Sequence, residues 1–135
     1  MPFDHADIPL VALDQMNDFH REEVEMINRV ETLARSGDEA DLAETLREFL
    51  NHIRSHFATE EALMQAAGFP PFPIHKQEHD RLLAELGECE TIWMENGDPA
   101  PLVDYICRTI PQWMQQHVAT MDRVTAQFLA MTGAG

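Results

Sequence analysis

The sequence is poor in tyrosine, cysteine and basic residues. It has one Tyr and two Cys in 135 residues, and 9 Lys and Arg stand against 24 Asp and Glu. The formal net charge of -15 repels nucleic acid and anionic membrane surfaces, so neither is expected as a partner. The single tyrosine and the scarcity of β-branched residues argue against an all-β fold.

Long apolar runs are also missing. The N-terminal stretch MPFDHADIPLVALDQ has no basic start followed by an apolar segment, and no part of the chain approaches the roughly 20 apolar residues of a membrane span. Cys89 and Cys107 lie far apart in helical patterns, too widely spaced for a thiolate metal site. Free thiols indicate a reducing compartment, so we expect a cytoplasmic protein.

What the sequence does contain is helical periodicity, with 44% hydrophobic residues to bury. We predict helices at about 13–34, 38–67, 72–95 and 99–131, separated by Ser36-Gly37, the GFPPFP loop and Asn96-Gly97. Asp38 is expected to cap the second helix and Asp98-Pro99 to start the fourth. Short loops between long helices predict an all-α, up-down-up-down antiparallel four-helix bundle. The whole chain, 1–135, is interpreted as one domain with an irregular N-terminal arm at about 1–12.

Pro111 conflicts with a regular fourth helix. Proline lacks an N–H group and clashes with the carbonyl four residues earlier, here that of Cys107. We therefore expect one helix that is kinked or broken near Ile110.

Two pairs of polar residues have i, i+4 spacing: His56 with Glu60, and His75 with His79. Members of such a pair differ by only about 40° around a helix and project from one face. A lone histidine on an apolar face is usually an ordinary core residue, but two such pairs on consecutive antiparallel helices are harder to explain that way. Buried imidazoles and carboxylates need partners, and a metal satisfies several of them at once.

The outer helices add further candidate ligands, His20 in the first helix and His117 and Asp122 in the fourth. The i, i+5 spacing of the last two spreads them by about 140° on an α-helix, so we expect that they do not stand side by side and that Asp122 reaches sideways towards a second metal. Histidine with carboxylate and without thiolate suits iron, manganese or zinc. Five histidines and two carboxylates are too many ligands for one ion and suit two.

These residues resemble the seven-ligand pattern of the hemerythrin family, including its bacterial single-domain members: His20, His56-x-x-x-Glu60, His75-x-x-x-His79 and His117-x-x-x-x-Asp122. The stretches HFATEEALM and HKQEHDRLL are also similar to the family, and the resemblance covers about 18–122.

The resemblance implies a non-haem di-iron centre with an oxo or hydroxo bridge in the bundle core. It assigns His75, His79 and His117 to one iron, His20 and His56 to the other, and Glu60 and Asp122 to bridging positions. It also implies that the two-histidine iron keeps an open position at which dioxygen binds reversibly, as in oxygen carriage, storage or delivery.

Glu23 departs from the family pattern, because family oxygen carriers usually have an apolar residue there. It falls on the same helical face as His20, and a buried carboxylate needs a partner. Two partners are available: the open position of the two-histidine iron, and His52, which antiparallel packing of the first two helices brings to the same level. A local rotation that swings Glu23 to the bundle rim is the structural alternative. The neighbouring Glu22 is expected to face solvent.

Three apolar residues of the fourth helix, Trp113, Met114 and Val118, are expected to complete the pocket wall, although plain core packing explains them equally well. His5 has no assigned role.

Three functions remain open from the sequence. The first is reversible dioxygen binding, with an unidentified protein acceptor as a possible partner. The second is a di-iron redox enzyme or sensor that reacts with oxygen, peroxide or nitric oxide, with Glu23 altering the open iron position. The third is a metal-free or zinc-filled bundle, against which the ligand set argues. Catalysis is therefore uncertain, and we favour an oxygen-binding protein.

Overall fold

The structure, a computed structural model, describes residues 3–133. Three helices are continuous: α1 (Asp14–Ser36), α2 (Glu39–Ala67) and α3 (Phe72–Asn96). The fourth helix consists of five contiguous segments, Ala100–Asp104, Tyr105–Thr109, Ile110–His117, Val118–Asp122 and Arg123–Thr132. No strand occurs between residues 3 and 133. The predicted all-α antiparallel four-helix bundle is therefore confirmed.

The helices end where the sequence signals indicate. Gly37 and Gly68 follow α1 and α2 with φ values of 75° and 67°, a left-handed conformation that glycine adopts without steric cost. The side chain of Asp38 accepts a hydrogen bond from the Asp41 N–H at 3.1 Å and caps α2 as expected.

Pro111 is accommodated without breaking the fourth helix. The segment just before it, Tyr105–Thr109, is a π-helical turn, and the Ile110 N–H donates to the carbonyl of Tyr105. A π turn shifts the hydrogen-bond ladder by one residue, which accounts for a proline inside a continuous helix. The distortion expected near Ile110 thus takes the form of a π turn, and the helix continues through it.

The N-terminal arm runs along α1 in the opposite direction and is fastened at two points by asparagines. The side chain of Asn28 accepts from the Phe3 N–H at 2.7 Å and donates to the Phe3 carbonyl at 2.6 Å. Asn17 makes the same pair of bonds to Val11, at 2.9 and 3.0 Å. One 3-10 turn, His5–Asp7, lies between these points. Met1 and Pro2 of the predicted arm lie outside the described residues.

Two apolar clusters occupy the two ends of the bundle. The larger one includes Val24, Ile53, Leu86 and Ile106, and the smaller one is formed by four buried residues at the opposite end, Leu13, Met16, Ala126 and Leu129. On α1 and in the second half of the fourth helix, the buried polar residues lie between residues of the two clusters, so the site has apolar packing on both sides. No helix within the described residues is long and apolar enough to cross a membrane.

Candidate metal centre

All seven predicted ligand residues lie in the core, and none exposes more than 4% of its surface. They converge from all four helices and form two groups. Within each group, the potential ligand atoms lie within 4.8 Å of one another. The first group is His75, His79, His117 and Asp122, and the second is His20, His56 and Glu60.

The first group joins α3 to the fourth helix. Nε2 of His75 lies 3.1 Å from Nε2 of His117, and Oδ1 of Asp122 lies 3.1 Å from each of these nitrogens. His79 completes the group, with its Nε2 3.4 Å from Oε1 of Glu60. Three imidazole nitrogens therefore point at one small volume.

The second group joins α1 to α2. Nε2 of His56 faces Oε2 of Glu60. His20 approaches from α1, with its Nε2 3.0 Å from Oδ2 of Asp122. This group has two imidazoles where the first has three.

Both carboxylates reach both groups with different oxygens. Glu60 turns Oε1 towards His79 and Oε2 towards His56. Asp122 turns Oδ1 towards His75 and His117 and Oδ2 towards His20. Two carboxylates that each present one oxygen to either group have the arrangement expected of bridging ligands between two ions.

The sequence-based expectation that His117 and Asp122 do not stand side by side is wrong. The five residues that end at Asp122, Val118–Asp122, form a second π-helical turn. A π turn repeats at i+5, so it returns Asp122 to the face of His117. The result is the 3.1 Å separation between His117 Nε2 and Asp122 Oδ1.

The residues fit a metal because several of their buried polar atoms have no hydrogen-bond partner. Among the described residues these atoms include Glu60 Oε1, His79 Nε2 and Asp122 Oδ1, and all three point into the centre of the cluster. Buried polar groups are normally paired, and each unpaired group costs about 1–3 kcal/mol. Nitrogen and oxygen donors without thiolate match the ligand preferences of iron and zinc.

The electrostatics of the cluster favour ionised carboxylates. Burial and the neighbouring Asp122 raise the pKa of Glu60, but His56 and His79 outweigh them and lower it to about 2. Burial likewise raises the pKa of Asp122, while His117, His20 and His75 hold it well below its usual range. Both groups are therefore charged at neutral pH, as metal ligands must be.

The sequence pattern did not predict the hydrogen-bond partners of the histidine nitrogens that face away from the cluster. Nδ1 of His79 lies 3.0 Å from Oε2 of Glu61, and Nδ1 of His75 lies 2.7 Å from Oγ1 of Thr125. Thr125 follows Asp122 by three residues, a spacing that places both on one helical face, so helical phase could have revealed it. Outer partners of this kind fix the tautomer and orientation of a ligand histidine.

The sequence left two partners open for Glu23, and the structure places its carboxylate against histidine rings, close to His52, and outside the two groups of converging ligand atoms. Oε2 of Glu23 lies against Nδ1 of His56, while Nε2 of the same ring faces Glu60. The imidazole therefore stands between Glu23 and the cluster, and Glu23 does not belong to either group of converging ligand atoms. Only 2% of its surface is exposed, so the alternative of a swing to the bundle rim is wrong.

His52 lies beside Glu23, on the side away from the cluster. Its Nδ1 is 3.3 Å from Oε2 of Glu23, without hydrogen-bond geometry, and its Nε2 is 2.8 Å from Oε2 of Glu22. Glu22 is 55% exposed, as expected, but it also contacts His52. Burial raises the pKa of Glu23, but His56, His52 and His20 outweigh this effect and lower it.

The three predicted wall residues are not equivalent. Met114 and Val118 are buried in the larger apolar cluster. Trp113 is partly buried and stacks on His117 with ring centroids 4.2 Å apart, while its Nε1 donates to Glu78 at 2.9 Å. Phe57 stacks on His79 in the same way at 3.9 Å. Aromatic faces therefore cover two histidines of the first group.

A buried set of histidines and shared carboxylates at the centre of four antiparallel helices defines a metal-binding helical bundle. The family model of the "Hemerythrin HHE cation binding domain" matches residues 11–129. The chain therefore belongs to the hemerythrin family, whose members are non-haem iron proteins.

Named relatives agree with this assignment. The chain is 31% identical over 114 residues to a bacteriohemerythrin of Aquifex aeolicus, and the matched region spans 84% of this chain and 87% of the relative. It is 41% identical over 95 residues to a bacteriohemerythrin of Ralstonia nicotianae, which covers 70% and 68%. A crystal structure of wild-type hemerythrin superposes with a TM-score of 0.82 over 96% of this chain and 97% of that chain. At 22% identity, this last match supports the fold alone.

Proposed function

We propose that this protein binds dioxygen reversibly at a di-iron centre. His75, His79 and His117 would hold one iron and His20 and His56 the other, with Glu60 and Asp122 bridging both. The observation that carries the proposal is that each of the two carboxylates presents one oxygen to either histidine group. A di-iron centre supplies the two electrons that reversible dioxygen binding requires.

The chain makes the two iron positions unequal. Three histidines and two carboxylates would supply five ligands on one side, whereas two histidines and the same carboxylates would supply four on the other. The side with fewer protein ligands is where a small molecule fits best. Buried apolar residues, among them Val24, Ile27 and Val118, limit water around the cluster.

An optical experiment tests this function. Protein loaded with ferrous iron under nitrogen is exposed to air and then returned to nitrogen. We expect a charge-transfer band that forms in air and disappears when oxygen is removed, over several cycles. Zinc-loaded protein is the control, because zinc has no redox chemistry and should give no band. Irreversible conversion to the oxidised spectrum in the first cycle would contradict oxygen carriage.

The second candidate is a di-iron redox protein or sensor that reacts with oxygen, peroxide or nitric oxide. The buried carboxylate of Glu23 behind His56 favours it, because a negative charge near the iron stabilises the ferric state. Irreversible oxidation in the optical experiment, at a rate that increases with oxygen or peroxide concentration, is the result that this candidate predicts.

Thr125 provides a test of the outer contacts of the centre. Thr125→Val keeps the shape of the side chain but removes the hydroxyl 2.7 Å from Nδ1 of His75. We expect iron affinity to fall by about 10-fold, because outer hydrogen-bond partners typically contribute 10- to 100-fold. Competition with a chelator measures the affinity, and Thr132→Val, an exposed change near the end of the same helix and away from the ligands, is the control. Equal affinities for the two variants would rule out a role for this hydroxyl.

A further inference from the structure

The five ligand histidines differ in what lies against their outer nitrogen, Nδ1, which is the ring nitrogen that faces away from the cluster. Nδ1 of His75 faces a neutral hydroxyl and that of His79 faces Glu61. Nδ1 of His20 and that of His117 are buried without any hydrogen-bond partner. His56 is the histidine whose outer nitrogen faces a fully buried carboxylate, that of Glu23.

Two histidines contact Glu23 from different sides. His56 Nδ1–H donates to Oε2, and His52 stands 3.3 Å from the same oxygen. His52 is itself fixed by Glu22, which lies 2.8 Å from its other ring nitrogen. When a metal is bound His56 is neutral, and with its Nδ1–H directed at Glu23 it must then present its Nε2 lone pair to the cluster, because neutral imidazole carries one N–H.

Glu61, behind His79, differs from Glu23 in two respects. Its side chain is 18% exposed, and the ammonium group of Lys76 lies 4.0 Å away. Solvent and a neighbouring cation weaken the field of a carboxylate. Between Glu23 and the cluster lies a single buried imidazole, that of His56. The charge of Glu23 should therefore act on the nearby metal position more strongly than the charge of Glu61.

On the basis of the proposed di-iron function, we propose that Glu23, steadied by His52, is a positioning residue that fixes the tautomer of His56 and biases the two-histidine iron towards the ferric state. The hydrogen bond from Nδ1–H makes Nε2 of His56 a stronger donor, and the negative charge offsets the additional positive charge of ferric iron. Oxygen carriage at this centre is therefore limited by the rate at which the iron oxidises.

Two variants separate position from charge. Glu23→Gln retains an oxygen that accepts from Nδ1–H but removes the charge. Glu23→Leu removes both. We expect Glu23→Gln to favour the ferrous state by at least tenfold, about 59 mV for a one-electron couple, with iron affinity close to that of the native chain. Glu23→Leu should shift the potential in the same direction and also weaken iron binding by about 10-fold or more.

Potentiometry and chelator competition measure these effects, with Glu61→Gln as the matched control at the other iron. Autoxidation of the oxygen-exposed protein should be severalfold slower in both Glu23 variants. A potential of Glu23→Gln equal to the native value, or a shift no larger than that of Glu61→Gln, would overturn the charge role.

Zinc-loaded protein tests the positioning role independently of oxygen chemistry. Nitrogen-15 NMR of the histidine rings should show His56 protonated at Nδ1, with a proton that exchanges slowly with water. The signal should persist in Glu23→Gln and exchange faster in Glu23→Leu. Protonation of His56 at Nε2 in the native chain would overturn the positioning role, whereas absence of a reversible oxygen band would bear only on the proposed function.

Discussion

Removal of the metal should lower the midpoint of thermal unfolding by about 10–20 °C at pH 8. The core holds five histidines together with Glu23, Glu60 and Asp122, and without metal their converging lone pairs and charges lack a common partner. A ligand present at 1,000 times its dissociation constant stabilises the folded state by about 4 kcal/mol, which corresponds to a shift of this size for a chain of this length. Thermal unfolding followed by circular dichroism, before and after chelation and after reloading with iron, measures the shift.

The pH dependence of the two forms should be opposite. In the metal-free protein, burial lowers the pKa of His56, but Glu23 and Glu60 outweigh it and raise this pKa well above 6.5. Its contribution to stability is thus complete below pH 6.5 and is lost as the pH rises through the folded value. The pKa of Glu60 is lowered to about 2 from 4.5. Its contribution to the stability of the folded state is therefore complete above pH 4.5 and is lost as the pH falls towards 2.

The metal-free protein should therefore be most stable between about pH 4.5 and 6.5, whereas the iron form should lose stability towards acid, because protons compete for the same imidazoles. The difference in midpoint is then larger at pH 8 than at pH 5.5. Metal-free protein that gains stability steadily from pH 5.5 to pH 8, or that melts with the iron-loaded form at pH 8, would contradict this account of the core.

Replacement of Glu60 by Ala should abolish loading of the iron pair. Its two oxygens face His56 and His79, so the substitution removes a ligand from both positions. We expect affinity to fall by more than about 100-fold, since loss of an outer partner alone costs up to that amount. Metal analysis after anaerobic loading should give at most one iron per chain, against two for the native sequence.

Glu48→Ala is the matched control, because Glu48 is exposed on the same helix, α2. It should load iron as the native chain does. Two tightly bound irons in Glu60→Ala would show that Glu60 does not bridge.

Much of the fold follows from local sequence signals, because several helix ends are specified by residues next to them. Gly37 and Gly68 supply left-handed ends, and Asp38 supplies a cap. The i, i+4 pairs His56 with Glu60 and His75 with His79 also fix their own relative direction. Helical phase and antiparallel packing then bring them to one level of the bundle.

Two features of the site cannot be predicted from the angular positions of residues around an ideal α-helix. The π turn before Asp122 moves that side chain onto the face of His117, and a shift of the hydrogen-bond ladder leaves no simple mark in the residue pattern. Phase also placed Glu23 on the inward side of α1, but it could not decide which edge of the His56 ring the carboxylate meets. That choice depends on side-chain reach and on the distance between α1 and α2.

Anomalous diffraction at the iron absorption edge, from crystals of protein loaded anaerobically with iron, tests the central claim most directly. We predict two iron peaks per chain. One is ligated by His75, His79 and His117 and the other by His20 and His56, and Glu60 and Asp122 each contribute one oxygen to both. A single peak, no peak, or a pair of peaks not bridged by these two carboxylates would contradict the account.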